Sequence, residues 1–152
     1  MSSAGQSGDR VEREILIEAP IERVWDLVSE PGWWIGDGDP ANRTITKEEE
    51  LVVVDYPPHG RFPVLQQSSD APRHVAFRSA FPGQATEEGT STLVEFFLTE
   101  KGGGTLLRVV ESGFASLSIP AERRAAAIED NIEGWEQQLG YAKRDSESAG
   151  GR

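Results

Sequence analysis

Ser118–Arg144, SIPAERRAAAIEDNIEGWEQQLGYAKR, is the stretch from which the fold of this chain can be read. Ile128, Ile132, Trp135, Leu139 and Ala142 recur at steps of four and three, so they share one stripe of an α-helix. Glu122, Arg123, Glu129, Asp130, Glu133, Glu136 and Gln137 fall off that stripe and are expected to face water. Ser118 and Pro120 read as a helix start, and Lys143 and Arg144 suit the negative end of the helix dipole. Gly134 and Gly140 each weaken a helix by roughly 1 kcal/mol relative to alanine. They imply close approach of another backbone, or free space beside the helix. A long, one-sided helix needs a broad apolar surface to lie on.

Strand patterns upstream supply that surface. In Val11–Glu18, Val11, Arg13, Ile15 and Ile17 alternate with Glu12, Glu14, Leu16 and Glu18, as in a half-buried strand. Ala19-Pro20 opens a helix with Ile21, Val24, Trp25 and Val28 on its apolar stripe, and Pro31-Gly32 stops it. Trp33–Gly36 predicts a second short helical turn, followed by a turn at Asp37–Pro40. Six strand-like runs follow: Asn42–Lys47, Glu50–Tyr56, Arg61–Ser68, Arg73–Phe81, Thr90–Glu100 and Thr105–Phe114. The short Pro-, Gly- and Asp-rich breaks between them imply hairpins and an antiparallel sheet. The polar run Gln66–Ser69 is expected at the sheet edge. The order predicts an α+β domain over 10–144, a curved antiparallel sheet wrapped round the long helix. The segments 1–9 and 145–152 read as disordered polar tails.

A chain of 152 residues can bury roughly 68–70% of its unfolded surface, enough for a core without staples. It has no cysteine, which removes thiol catalysis, thiolate metal sites and disulfides. The formal net charge of −11 opposes phosphate backbones and anionic membranes, so no nucleic-acid partner is expected. No run has the length of a membrane span, and Met1–Arg10 lacks the apolar core of a signal peptide. The expectation is a cytoplasmic protein with no membrane insertion.

Ile17-Glu18-Ala19-Pro20-Ile21-Glu22-Arg23-Val24-Trp25 resembles the opening of the START/SRPBCC superfamily, whose members include the birch-pollen-allergen type. Val109-Val110-Glu111-Ser112-Gly113-Phe114 resembles its branch of homologues of the activator of heat-shock protein ATPase. Trp33-Trp34, Gly60-Arg61-Phe62, Asp70-Ala71-Pro72-Arg73 and Gly134-Trp135 fall where that branch has similar residues, so the likeness covers about Arg10–Lys143. The resemblance implies the helix-grip fold, with a cavity between sheet and helix that commonly holds an apolar small molecule.

A cavity there would be lined by the helix stripe and by inward strand residues. The candidates are Trp33, Trp34, Phe77, Phe81, Phe97, Leu107, Val109, Glu111, Ile128, Ile132 and Trp135. Leu107, Val109 and Glu111 share one strand face, and Arg108 marks the other as solvent-facing, so Glu111 points inward. An inward carboxylate is read first as an ion-pair partner of Arg13 or Arg78, and second as an anchor for a ligand's polar end. His59 and His74 read as exposed turn residues. No metal site, nucleophile elbow or phosphate cradle is visible, and no cofactor or catalytic set is expected.

The leading expectation is a non-catalytic protein that binds a small hydrophobic molecule, lipid, sterol or polyketide-like, in that cavity. A polyketide cyclase/dehydratase-type enzyme is the alternative, with Glu111 and either Tyr56 or Arg78 as acid/base pair. A co-chaperone with a chaperone partner is the third, and it would need an exposed apolar patch.

Overall fold

A computed structural model describes residues 10–57, 60–80, 85, 86 and 89–149. Phe81, His59 and the segments 1–9 and 150–152 lie outside the described residues. The chain opens with strand β1 (Arg10–Ile17), which buries Val11 and Ile17, and helix α1 (Ile21–Val28), which buries Ile21, Val24 and Val28. Pro20 stands at the helix entry, its carbonyl accepting from Arg23 N at 3.0 Å and Val24 N at 3.2 Å.

Trp33–Gly36 is not the short helix expected. It is a run of turns, with Trp33 N donating to Glu30 O and Ile35 N to Gly32 O. Gly32, Gly36 and Gly38 have φ of +81°, +128° and +86°, outside the right-handed helical region. A three-residue 3₁₀ turn, Pro40–Asn42, follows instead, with the Asp39 side chain accepting from Ala41 N.

Six strands complete the sheet: β2 (Thr44–Glu48), β3 (Leu51–Tyr56), β4 (Gly60–Asp70), β5 (His74–Ala80), β6 (Ser91–Lys101) and β7 (Gly104–Ser112). The sheet is seven-stranded and antiparallel in the order β1-β7-β6-β5-β4-β3-β2. Only β1 pairs out of sequence, with Val11 opposite Glu111 and Ile15 opposite Leu107. A register shift between Gln66 and Ser68 bends β4 against β5. Beyond Leu65, β4 has left its β3 partner, so Gln66–Asp70 are exposed at an edge, as their polarity implied. The β6–β7 hairpin turns on Gly102 and Gly103, both at positive φ, which suits a tight two-residue connection.

Helix α2 (Ala121–Ala149) lies on the concave face, against β1 and α1. It starts three residues later than Ser118: Ser118 N donates to Gly89 O, and the Pro120 carbonyl accepts the first helical N–H, from Arg123. It also runs five residues beyond Arg144, into the segment expected as a tail. Glu147 anchors that extension, accepting from Glu18 N at 2.8 Å and from Lys143 Nζ. Trp135, Leu139, Ala142 and Ser146 are buried, while Ile128 and Ile132 are partly buried where the helix leaves the sheet. Among the described residues, no helix is long and apolar enough to cross a membrane.

Two glycine-to-alanine changes should move stability in opposite directions. A Cβ at Gly104 would stand 2.6 Å from the Ile17 carbonyl oxygen, so Gly104→Ala should cost about 1–3 kcal/mol. Gly140 has nothing within 4 Å of such a Cβ, so Gly140→Ala should stabilise by about 1 kcal/mol. Urea unfolding midpoints of the two variants check both signs.

Candidate functional site

Three elements converge at one end of the groove between sheet and helix. Glu111 is the last inward residue of β7, and Thr92 projects from β6 beside it. Asn131 and Trp135 come from successive turns of α2. Thr92 Oγ1 donates to Glu111 Oε2 at 2.5 Å, while Asn131 Nδ2 and Trp135 Nε1 both donate to Oε1 at 2.7 Å. Glu111 is 6% exposed and forms part of the wall of a cavity of about 200 Å³. Trp34, Ile35, Phe62, Ser79, Ala80, Gly134 and Gln138 complete that wall. Gly134 has open space where a side chain would be, which accounts for one of the two helix-weakening glycines.

Burial raises the Glu111 pKa above the ordinary glutamate value, and the bonds from Thr92, Trp135 and Asn131 pull it back. Neither expected arginine reaches it. Arg13 pairs with Glu136 of α2 at 3.1 Å, and Arg78 donates to Ser91 Oγ at 3.1 Å. Arg78 sits opposite Leu93, on the face away from α2, because strand alternation turns Val75 and Phe77 inward. Tyr56 lies by Asp37, Ala41 and Asn42 at a separate depression.

The other expected lining residues divide by position. Trp34, Glu111 and Trp135 meet at the cavity. Phe77, Leu107 and Val109 are fully buried in the core and do not line it. Trp33 walls a second cavity of about 70 Å³ with Leu27, Arg43 and Tyr141, on the far side of Gln138. Ile128 and Ile132 pack at the core margin. Phe97 is a correction. Thr92, Val94, Phe96 and Leu98 take the inner face of β6, leaving Phe97 outside between His74 and Arg108, whose guanidinium lies 4.6 Å from its ring centre. His74 is part-buried rather than free in a turn, 3.0 Å from Glu95.

Much of the groove is filled by aromatics. Trp34 lies 5.2 Å from Phe77, 5.5 Å from Phe96 and 6.1 Å from Trp135, centre to centre. That packing explains why the cavity is small. The wall residues missed from sequence are Ile35, Phe62, Ser79, Ala80 and Gly134, together with the polar Thr92, Asn131 and Gln138. Asn131, Trp135 and Gln138 do stand at steps of four and three, so a polar flank beside the apolar stripe was a usable signal.

No protein-family description matches this sequence, and no curated protein matches it. Solved structures do match in shape. DynU16, a protein of the dynemicin biosynthetic locus, is 21% identical with a TM-score of 0.69 over 93% of this chain and 48% of its own. The chain thus spans about half the length of DynU16. Protein MLL2253 from Mesorhizobium loti is 20% identical, TM-score 0.65, over 89% of this chain and 94% of its own. CalU16 from Micromonospora echinospora is 17% identical, TM-score 0.57, over 88% and 71%. At such identities the likeness establishes the fold alone: an α+β helix-grip domain with a seven-stranded antiparallel sheet.

A carboxyl whose native pKa stands above its unfolded value binds its proton more tightly when folded. Its contribution is full below about pH 4.3 and is lost as pH rises through the native value. Asp37 and Glu147, whose pKa values are lowered by Asn42 and Lys143 respectively, act in the opposite sense. Their effect cancels between wild type and a Glu111 variant. The stability of wild type minus that of Glu111→Gln should therefore fall as pH rises from about 4.3 through the raised native value. Urea unfolding of both proteins across that range measures the difference, and a flat difference would contradict the raised pKa.

Proposed function

We propose that this protein binds a small, mostly apolar molecule with one polar group, held between the sheet and α2. We also assign the chain, on its motifs, to the START/SRPBCC superfamily. The observation that carries the binding reading is Glu111, a buried carboxyl in the wall of an open cavity whose other walls include Trp34, Phe62 and Trp135. A carboxyl serving structure alone has no need of a cavity beside it.

The volume narrows the ligand. Ligand pockets commonly measure about 300–1,000 Å³, and a dry cavity of about 150 Å³ takes a benzene. At about 200 Å³ the cavity encloses one substituted ring, not a whole sterol or long acyl chain. The remainder of a larger ligand would extend past Gly134. An apolar docking patch for a chaperone has less support: among the described residues the exposed large hydrophobics are Leu16 (46%) and Ile45 (39%), on opposite edge strands of the sheet. Turnover of the bound molecule is a second reading, with Glu111, a titratable group in the cavity wall, as its acid/base candidate.

Titration with single-ring and two-ring aromatic compounds, followed by NMR, tests binding. Saturable shifts are expected at the Trp34 and Trp135 indoles and the Gly134 amide. Gly134→Leu, which fills open space, should weaken that binding roughly tenfold or more while leaving the unfolding midpoint at or above wild type. Shifts confined to the outer face of the sheet would overturn the reading. Analysis of the recovered compound separates carrier from enzyme.

A further inference from the structure

We propose that the molecule this cleft selects carries a protonated amine, seated between the Glu111 carboxylate and the rings of Trp34 and Trp135. This rests on the binding reading and specifies its ligand.

The first support is the distribution of charge. Glu12 is held by Arg10 and Arg108, Glu48 by Arg61, Glu95 by His74, Glu136 by Arg13 and Glu147 by Lys143. All of these are partly exposed, where an ion pair contributes little. Among the described residues Glu111 is the one buried carboxylate, and no cation lies within 4.0 Å of it. Burial of a charge calls for a counter-charge far more than exposure does.

The second is the direction of the hydrogen bonds. The Asn131 amide nitrogen and the Trp135 indole nitrogen can only donate, and both donate to Oε1. Thr92 supplies a third donor, to Oε2. An ionised carboxylate has about four lone-pair directions. Three are taken, and the remaining one belongs to a group in the cavity wall. Burial disfavours the anion, these donors offset part of that cost, and an ammonium beside the carboxylate would offset more of it.

The third is the wall. Trp34 and Trp135 both line the cavity, with ring centres 6.1 Å apart and planes at 38°, and Phe62 lines it with them. Aromatic faces attract cations, most strongly when water is excluded. A ligand alcohol would take the free lone pair but leave the carboxylate uncompensated. A ligand carboxylate would be repelled. The protein's net charge of −11 enriches cations near its surface and so acts in the same direction.

Three nearly isosteric probes separate these cases: 2-phenylethylamine, 2-phenylethanol and phenylacetate. Each is titrated into isotope-labelled wild type and Glu111→Gln at neutral pH, with the Trp135 indole N–H as readout. In wild type the amine should bind roughly tenfold tighter than the alcohol, with no measurable binding of phenylacetate. In Glu111→Gln the amine-to-alcohol ratio should collapse to about one. Equal affinities in wild type would overturn the proposal and leave the cleft reading standing. A preference kept in Glu111→Gln would also overturn it, by placing the attraction on the acidic surface. If none of the three moves the Trp135 indole, the cleft reading and this proposal both fall.

Discussion

Burial of the α2 stripe on the concave face of the sheet is the constraint that the rest of the structure accommodates. The helix has 29 residues, yet its buried residues are Trp135, Leu139, Ala142 and Ser146 in its C-terminal half. A helix with so acidic a solvent face draws its stability from such packing, not from propensity. The sheet must curve to meet it, and the displaced register in β4 and the pairing of β1 with β7 both serve that curvature. Pairing β1 with β7 also brings Arg13 under α2, where it meets Glu136.

The aromatic cluster decides how much of the groove stays open. Phe96 touches Trp33, Trp34 and Trp135, with ring centres 5.3, 5.5 and 5.7 Å away, so the middle of the grip is solid. The space that survives lies toward the end of β7, where Gly134 withholds a side chain and Thr92, Asn131 and Gln138 replace apolar neighbours. The loop carrying Trp34 is tied down at several points. Gln138 Nε2 donates to Gly36 O, Arg43 Nη1 to the Trp33 and Ile35 carbonyls, and Arg144 Nη2 to Gly38 O. Its three positive-φ glycines permit the sharp path that places Trp34 inward.

Glu111 sits against the economy of this core. A glutamine would keep an oxygen acceptor for Asn131 and Trp135 without burying a charge, whereas an apolar residue would leave both donors unpaired. Burial opposes ionisation of this carboxyl, and its place in a cavity wall leaves it within reach of whatever enters there.

Periodicity in the sequence was enough to determine the fold class, the burial of Trp135, Leu139 and Ala142, the hairpin order and the inward direction of Glu111. Those follow from local rules: a period of 3.6 for the helix, a period of two for the strands, and turn residues between them. Phe97 shows where such reading stops. An aromatic in a strand is equally at home on either face, and only the register of β6 between β5 and β7 turned it outward, onto Arg108 and His74. The same holds for the counterpart of Glu111. Arg13 and Arg78 were plausible by charge, but the pairing of β1 with β7 sent one to Glu136, and alternation in β5 sent the other away from the groove. The polar contacts of Thr92 and Asn131 with Glu111 join residues 19 and 20 positions apart. No local pattern encodes them, because they exist only once the curved sheet has closed on the helix.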